Sequence, residues 1–176
     1  MLEDRIEQML APFADAAARL DAIPGVGPDT AAIIIAEIGL DMSRFPTPGH
    51  LASWAKFAPS VKQSANRTKG NGATGHGNRY LARVLGQAAV GASRTDTFLG
   101  ARYRRIARRR GKKKAVVAVG RSILIVCWHL LADPDARYTD LGAHHYKQHA
   151  TTARQRRNHI RQLEALGYKV TVEPAA

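Results

Sequence analysis

Cysteine is almost absent. Cys127 stands alone, which excludes an internal disulfide, and one thiol among scattered histidines does not make a zinc site. Acidic side chains are also scarce: 14 aspartates and glutamates face 27 lysines and arginines, for a formal charge of +13. An isoelectric point near 10.6 goes with that imbalance. Such an excess predicts a polyanionic partner, with nucleic acid the first candidate and a membrane surface the second. The opening stretch MLEDRIEQML is acidic and lacks the basic start and apolar centre of a signal peptide. Only one long apolar run exists, Ala115 to Ala132, and Arg121 and His129 interrupt it. A buried core helix is therefore expected there, with no membrane partner and a reducing, intracellular setting.

What is present suffices for folding. Apolar residues make up 45% of the 176, enough for a core in one domain with helical appendages. Leu2 to Leu20 has apolar residues at helical spacing, with a break or kink expected at Pro12. The turn Ile23-Pro24-Gly25-Val26-Gly27-Pro28 then leads into an apolar helix, Asp29 to Ile38, closed by Gly39. This has the form of a helix-hairpin-helix, in which Gly25 and Gly27 free backbone N–H groups for a DNA phosphate; an ordinary helical hairpin has the same outline. Further helices are expected over Gly49–Phe57, Asn78–Ser93, Thr97–Arg110, Ala115–Leu131 and Thr151–Leu166, followed by a short strand or extended tail from Tyr168. The fold class is all-α: a helix-hairpin-helix, then a small helical bundle, a glycine-rich basic loop and a short extended C-terminal tail. The expected division is 1–20 as the end of a linker or coiled-coil helix, 21–142 as the main domain, and 143–176 as a basic helix and tail. No internal repeat is visible.

The chemistry concentrates in PSVKQSANRTKGNGATGHGNRYLAR, Pro59 to Arg83. One hydroxyl nucleophile candidate, Ser64, lies among Lys62, Arg67, Lys69, Arg79 and Arg83. A serine attacking a phosphodiester needs cations to neutralise the charge that builds in the transition state. The same composition also suits a solvated basic loop that merely grips a phosphate backbone. A second basic run spans Arg104 to Lys114, where Arg105, Arg109 and Lys113 are candidate phosphate contacts. His144, His145 and His149 lie close together but lack a carboxylate or thiol at ligand spacing, so no metal site is assigned.

In order, IPGVGPDTAAIIIAEIG, FPTPGHLASWAKFAPSVKQS, TGHGNRYLARVLGQAA and LEALGYKVTVEP make the chain recognisable from about Leu20 onward. It resembles the carboxy-terminal domain of bacterial insertion-sequence transposases that join a RuvC-like DEDD domain to a serine-containing domain. Some members of that family use a structured bridge RNA as guide. The resemblance implies a DNA transposase or recombinase, located in the bacterial cytoplasm at the nucleoid. It implies that Ser64 is the nucleophile, forming a transient serine–DNA phosphodiester that is later religated. Ala65 and Asn66 depart from the small glycines that often follow the family's serine, and Arg79 is inserted between Asn78 and Tyr80. Ser60 is the fallback nucleophile.

No carboxylate set suited to a RuvC-like metal site can be picked out, so this chain is expected to need no cofactor. Magnesium would enter only with a RuvC-like domain, and this chain alone is expected to be inactive or weakly active. DNA is the expected partner; a structured guide RNA and self-association are further partners left open. The alternative function is a non-enzymatic helix-hairpin-helix module that binds DNA or structured RNA.

Overall fold

A computed structural model describes residues 11–59, 62–64, 67–69, 74–146 and 151–173, with only the backbone described for 62–64, 67–69 and 151–154. Among these residues the fold is all-α apart from one small ribbon. A 3-10 turn, Ala11–Phe13, leads into α1, Ala14–Asp21, and a second 3-10 turn lies at Met42–Arg44. Helical structure therefore changes type around Pro12, as the ring's missing N–H favours. The expected start of this helix at Leu2 lies outside the described residues.

α2 spans Pro28–Ile38, with Pro28 at its first position and Gly39 after its end. α3, Pro48–Trp54, is capped by Thr47, whose hydroxyl accepts from the His50 N–H. Two short strands follow, β1 at Lys62–Ser64 and β2 at Arg67–Lys69. α4 spans Arg79–Ser93 and α5 Phe98–Arg110, with Asn78 and Thr97 as their caps. α6, Lys112–Ala132, begins directly after Gly111, so Lys112, Lys113 and Lys114 form its first turn. α7, Thr151–Ala165, ends at Gly167, whose N–H donates to the Glu164 carbonyl at 2.9 Å. The residues after Gly167 form no helix or strand through residue 173.

α6 is the central post, as its apolar run predicts. α3, α4, α5 and α1 pack against it, and α2 packs against α1 and α4. Val119, Ile123, Leu124 and Cys127 of α6 are fully buried with Leu20, Ile34, Leu51, Leu85 and Leu99. Burying such side chains contributes roughly 1.5–3 kcal/mol each before chain entropy is set against it. Arg121 and His129 remain outside the buried set. The Trp128 indole Nε1 donates to the Phe45 carbonyl at 2.9 Å, fastening the turn before α3 to α6. Ala16 and Leu20 lie in the same core as α2 and α6.

The glycine-rich segment corrects the expectation of a plain loop. Lys62-Gln63-Ser64 and Arg67-Thr68-Lys69 pair antiparallel. These residues carry little apolar periodicity, so the strand signal in the sequence was weak.

Candidate nucleic-acid interface

The ribbon register sets Lys62 opposite Lys69, Gln63 opposite Thr68 and Ser64 opposite Arg67. Strand periodicity of two assigns positions 62, 64, 67 and 69 to one face. Three cationic residues and the candidate nucleophile therefore share a face, whereas Gln63 and Thr68 belong to the other. The stretch from Met42 to Thr95 contains no carboxylate. Ser60 lies outside the described residues.

The ends of this segment close against each other. A Cβ placed on Gly77 would stand 2.5 Å from the Ala55 carbonyl oxygen, so only glycine allows this approach. Asn78 then starts α4: its Oδ1 accepts from the Tyr80 N–H at 2.9 Å and from the Leu81 N–H at 3.1 Å. Its amide donates to Glu37 of α2, tying the root of the ribbon to the hairpin. Arg79 lies over the Tyr80 ring at 4.8 Å and donates to its hydroxyl at 2.8 Å. Tyr80 is 52% exposed, so this arginine–aromatic pair faces solvent at the helix start.

Beneath the root lies a cavity of about 150 Å³ bounded by Lys56, Phe57, Thr74 and Gly75. It shares Ala82, Gly86 and Val116 with an open groove of about 610 Å³ along α4. Arg83, Gln87 and Arg94 border the groove, with Val90 and Val116 as its apolar part. Lys113 lies three residues before Val116, on the adjoining part of α6. Lys56, Arg83 and Arg94 thus border two hollows that share residues. Lys112, Lys113 and Lys114 occupy a helix N-terminus, where the dipole disfavours positive charge; Arg108, Arg109 and Arg110 occupy a C-terminus, where it favours them.

Other predicted residues have different surroundings. Gly25 adopts φ +87°, and a Cβ there would stand 2.2 Å from the Ala88 carbonyl oxygen and 2.6 Å from the Ala92 nitrogen. Its glycine identity is explained by close packing of the hairpin on α4. Gly27 has open space around it and precedes α2 with no side-chain cap, although Asp29 occupies the first turn. Arg105 lies over the Tyr146 ring at 4.0 Å, while Arg102 donates to the Tyr146 hydroxyl at 2.7 Å. Arg105 therefore fastens the segment after α6 to α5, and Arg109 remains exposed at the end of α5.

His145 meets the Phe98 ring edge-on at 5.3 Å, and His149 lies outside the described residues. Among the described residues no three His, Cys, Asp or Glu side chains form a metal-holding group. Asp140 receives the Phe98 N–H at 3.0 Å and the Tyr138 hydroxyl at 3.1 Å. Burial, then the Asp140 charge, pushes the Tyr138 hydroxyl well above its usual range, which suits a structural role.

Sequence reading missed Lys56 and Arg94. The available signal was the absence of acids: Asp96 is the only carboxylate between Asp41 and Asp133. A cation in so long an acid-free stretch has few chances of a local ion pair.

Helices around a central post, a short lysine- and arginine-bearing ribbon and a groove bordered by Arg83 and Arg94 define a basic helical domain. Residues 17–104, half of the chain, match the transposase family IS116/IS110/IS902. The chain belongs to that family. The match takes in the hairpin, the ribbon, α4 and the first part of α5. An "Insertion element IS110 uncharacterized 43.6 kDa protein" of Streptomyces coelicolor is 36% identical over 116 residues. That alignment covers 65% of this chain and 28% of the relative's length.

Proposed function

We propose that this chain is the DNA-handling, serine-bearing part of an IS110-type transposase, with Ser64 as nucleophile. The observation that carries this reading is the ribbon register, which groups Ser64 with Lys62, Arg67 and Lys69. In the proposed step the Ser64 Oγ bonds to the scissile phosphorus and one phosphorus–oxygen bond to deoxyribose breaks. The serine proton ends on the departing oxygen. Attack by a second strand's hydroxyl on the serine phosphodiester rejoins the backbone and returns the proton to Ser64, so no nucleotide hydrolysis is required. The lysines and arginines of the ribbon, with Arg79 and Arg83, stabilise the added negative charge.

Among the described residues no group of three His, Cys, Asp or Glu side chains could hold a metal ion. Magnesium chemistry, if the whole transposase uses it, belongs to a RuvC-like domain, and recombination by this chain alone is weak or absent. Guidance by a structured RNA is part of the same proposal, supported by the resemblance.

The test is covalent trapping. Incubation with a nicked suicide DNA, with and without an added RuvC-like domain, is followed by denaturing electrophoresis. A protein–DNA adduct lost in Ser64→Ala supports the assignment. An adduct that persists in Ser64→Ala, or none under either condition, overturns it.

The hairpin supports a second reading, since the uncapped α2 N-terminus at Gly27 is open. Under that reading the chain grips duplex DNA without chemistry. Ser64→Ala is then silent, whereas charge reversal at Arg67 and Lys69 weakens binding.

A further inference from the structure

Lys56 is the only non-glycine among the described residues with a positive φ, at +61°. A side chain in this left-handed region is disfavoured, by of order 1–3 kcal/mol, and persists only where the surroundings enforce it. Glycine would fit the same turn without that cost. The surroundings here are specific. Lys56 follows the end of α3, and its N–H donates to the Ser53 carbonyl at 3.1 Å. A Cβ on Gly75 would stand 3.4 Å from the Lys56 Cδ, and one on Gly77 would stand 3.1 Å from its Cβ. Both glycines thus leave room for the lysine stem across the root of the ribbon.

The ammonium is left over. Lys56 is exposed, and among the described residues no carboxylate pairs with it. It borders the cavity that runs into the Arg83–Arg94 groove. A strained backbone thus presents a cation with no carboxylate partner among the described residues, at a cavity that shares Ala82, Gly86 and Val116 with the groove.

We infer that Lys56 is a phosphate-binding residue at the ribbon root, holding the DNA backbone where it passes from the ribbon to the α4 groove. The inference rests on the proposed DNA-handling role and adds a binding residue to it. Backbone strain is retained there because the charge is used. Its ligand is a phosphodiester, met as a point charge without base recognition.

Binding of a DNA duplex to the full chain, measured across a salt series beside thermal unfolding, tests this. Lys56→Gly and Lys56→Asn both accept the left-handed backbone, and Lys56→Arg keeps the charge. The expected result is a Tm no lower than that of the parent for Lys56→Gly. DNA binding by Lys56→Gly and Lys56→Asn weakens, and the logarithmic salt slope falls by about one. Lys56→Arg binds as the parent does. An unchanged affinity and slope in Lys56→Gly, while Lys62→Glu or Lys69→Glu weakens binding, overturns the Lys56 assignment alone. A clear fall in Tm for Lys56→Gly overturns the strain argument and the inference with it. Failure of the parent chain to bind DNA overturns both this inference and the proposed role.

Discussion

Gly25 lies directly against the backbone of α4, with the Ala88 carbonyl oxygen 2.2 Å from where a Cβ would stand. Two independent demands meet at that residue, because φ is +87° as well. Gly25→Ala is expected to destabilise the fold by about 3 kcal/mol or more, through strain and displacement of α4. Gly27→Ala is the control: nothing lies within 4 Å of its Cβ position, so about 1 kcal/mol from the helix start is expected. Urea unfolding of the two variants checks the difference.

Arg19 closes the other end of the bundle. Its Nη1 donates to the Leu130 carbonyl, an orphan group in the last turn of α6, and at 3.1 Å to the Asp133 carbonyl, which also accepts from the Ala136 N–H. Its Nε meets Asp15 at 2.9 Å, but the Asp15 side chain is 73% exposed. Arg19→Ala should cost about 2 kcal/mol, from the Leu130 carbonyl left without a donor. Asp15→Ala should cost less than about 1 kcal/mol, as exposed pairs do. Thermal unfolding of both variants decides whether the carbonyl contacts dominate.

Arg105 separates two roles for a basic residue. Stacked on Tyr146, it should contribute about 0.5–2 kcal/mol to holding the 138–146 segment. Arg105→Ala is therefore expected to raise amide hydrogen exchange in that segment. It should change the salt slope of DNA binding less than Arg83→Ala does. Equal slope changes would show that Arg105 also carries a phosphate.

Cys127 gives a pH dependence. Burial raises its thiol from 9.0 to about 12. The folded protein keeps the proton to higher pH than the unfolded chain, so this contribution is complete below pH 9.0 and is lost as pH rises towards 12. Over that window the parent should lose more stability than Cys127→Ala, as read from denaturant midpoints. At pH 8 a thiol reagent should label Cys127 only after denaturant is added.

The helices were legible because their signals are local. Thr47, Asn78 and Thr97 cap where their side chains can reach the next turn, and the apolar spacing of α4 and α6 shows their buried faces. Ser64 and its lysine and arginine neighbours were legible as a cluster in sequence. Their ribbon was not, since three-residue polar strands carry almost no periodic signal. The charge run Arg104 to Lys114 looked uniform in sequence. In the fold it divides between the end of one helix and the start of the next, with opposite dipole effects.

By itself, the sequence determined the helical class, the core post at Ala115–Leu131, the basic surplus and the serine with its charged neighbours. Spacing along one chain and the sum of charges are enough for these. Only the tertiary structure decided that Gly25 is a packing residue, that Arg105 stacks on Tyr146, and that Lys56 sits strained beside a groove. Each depends on a partner brought close by folding, and no local pattern records which distant backbone or ring will arrive.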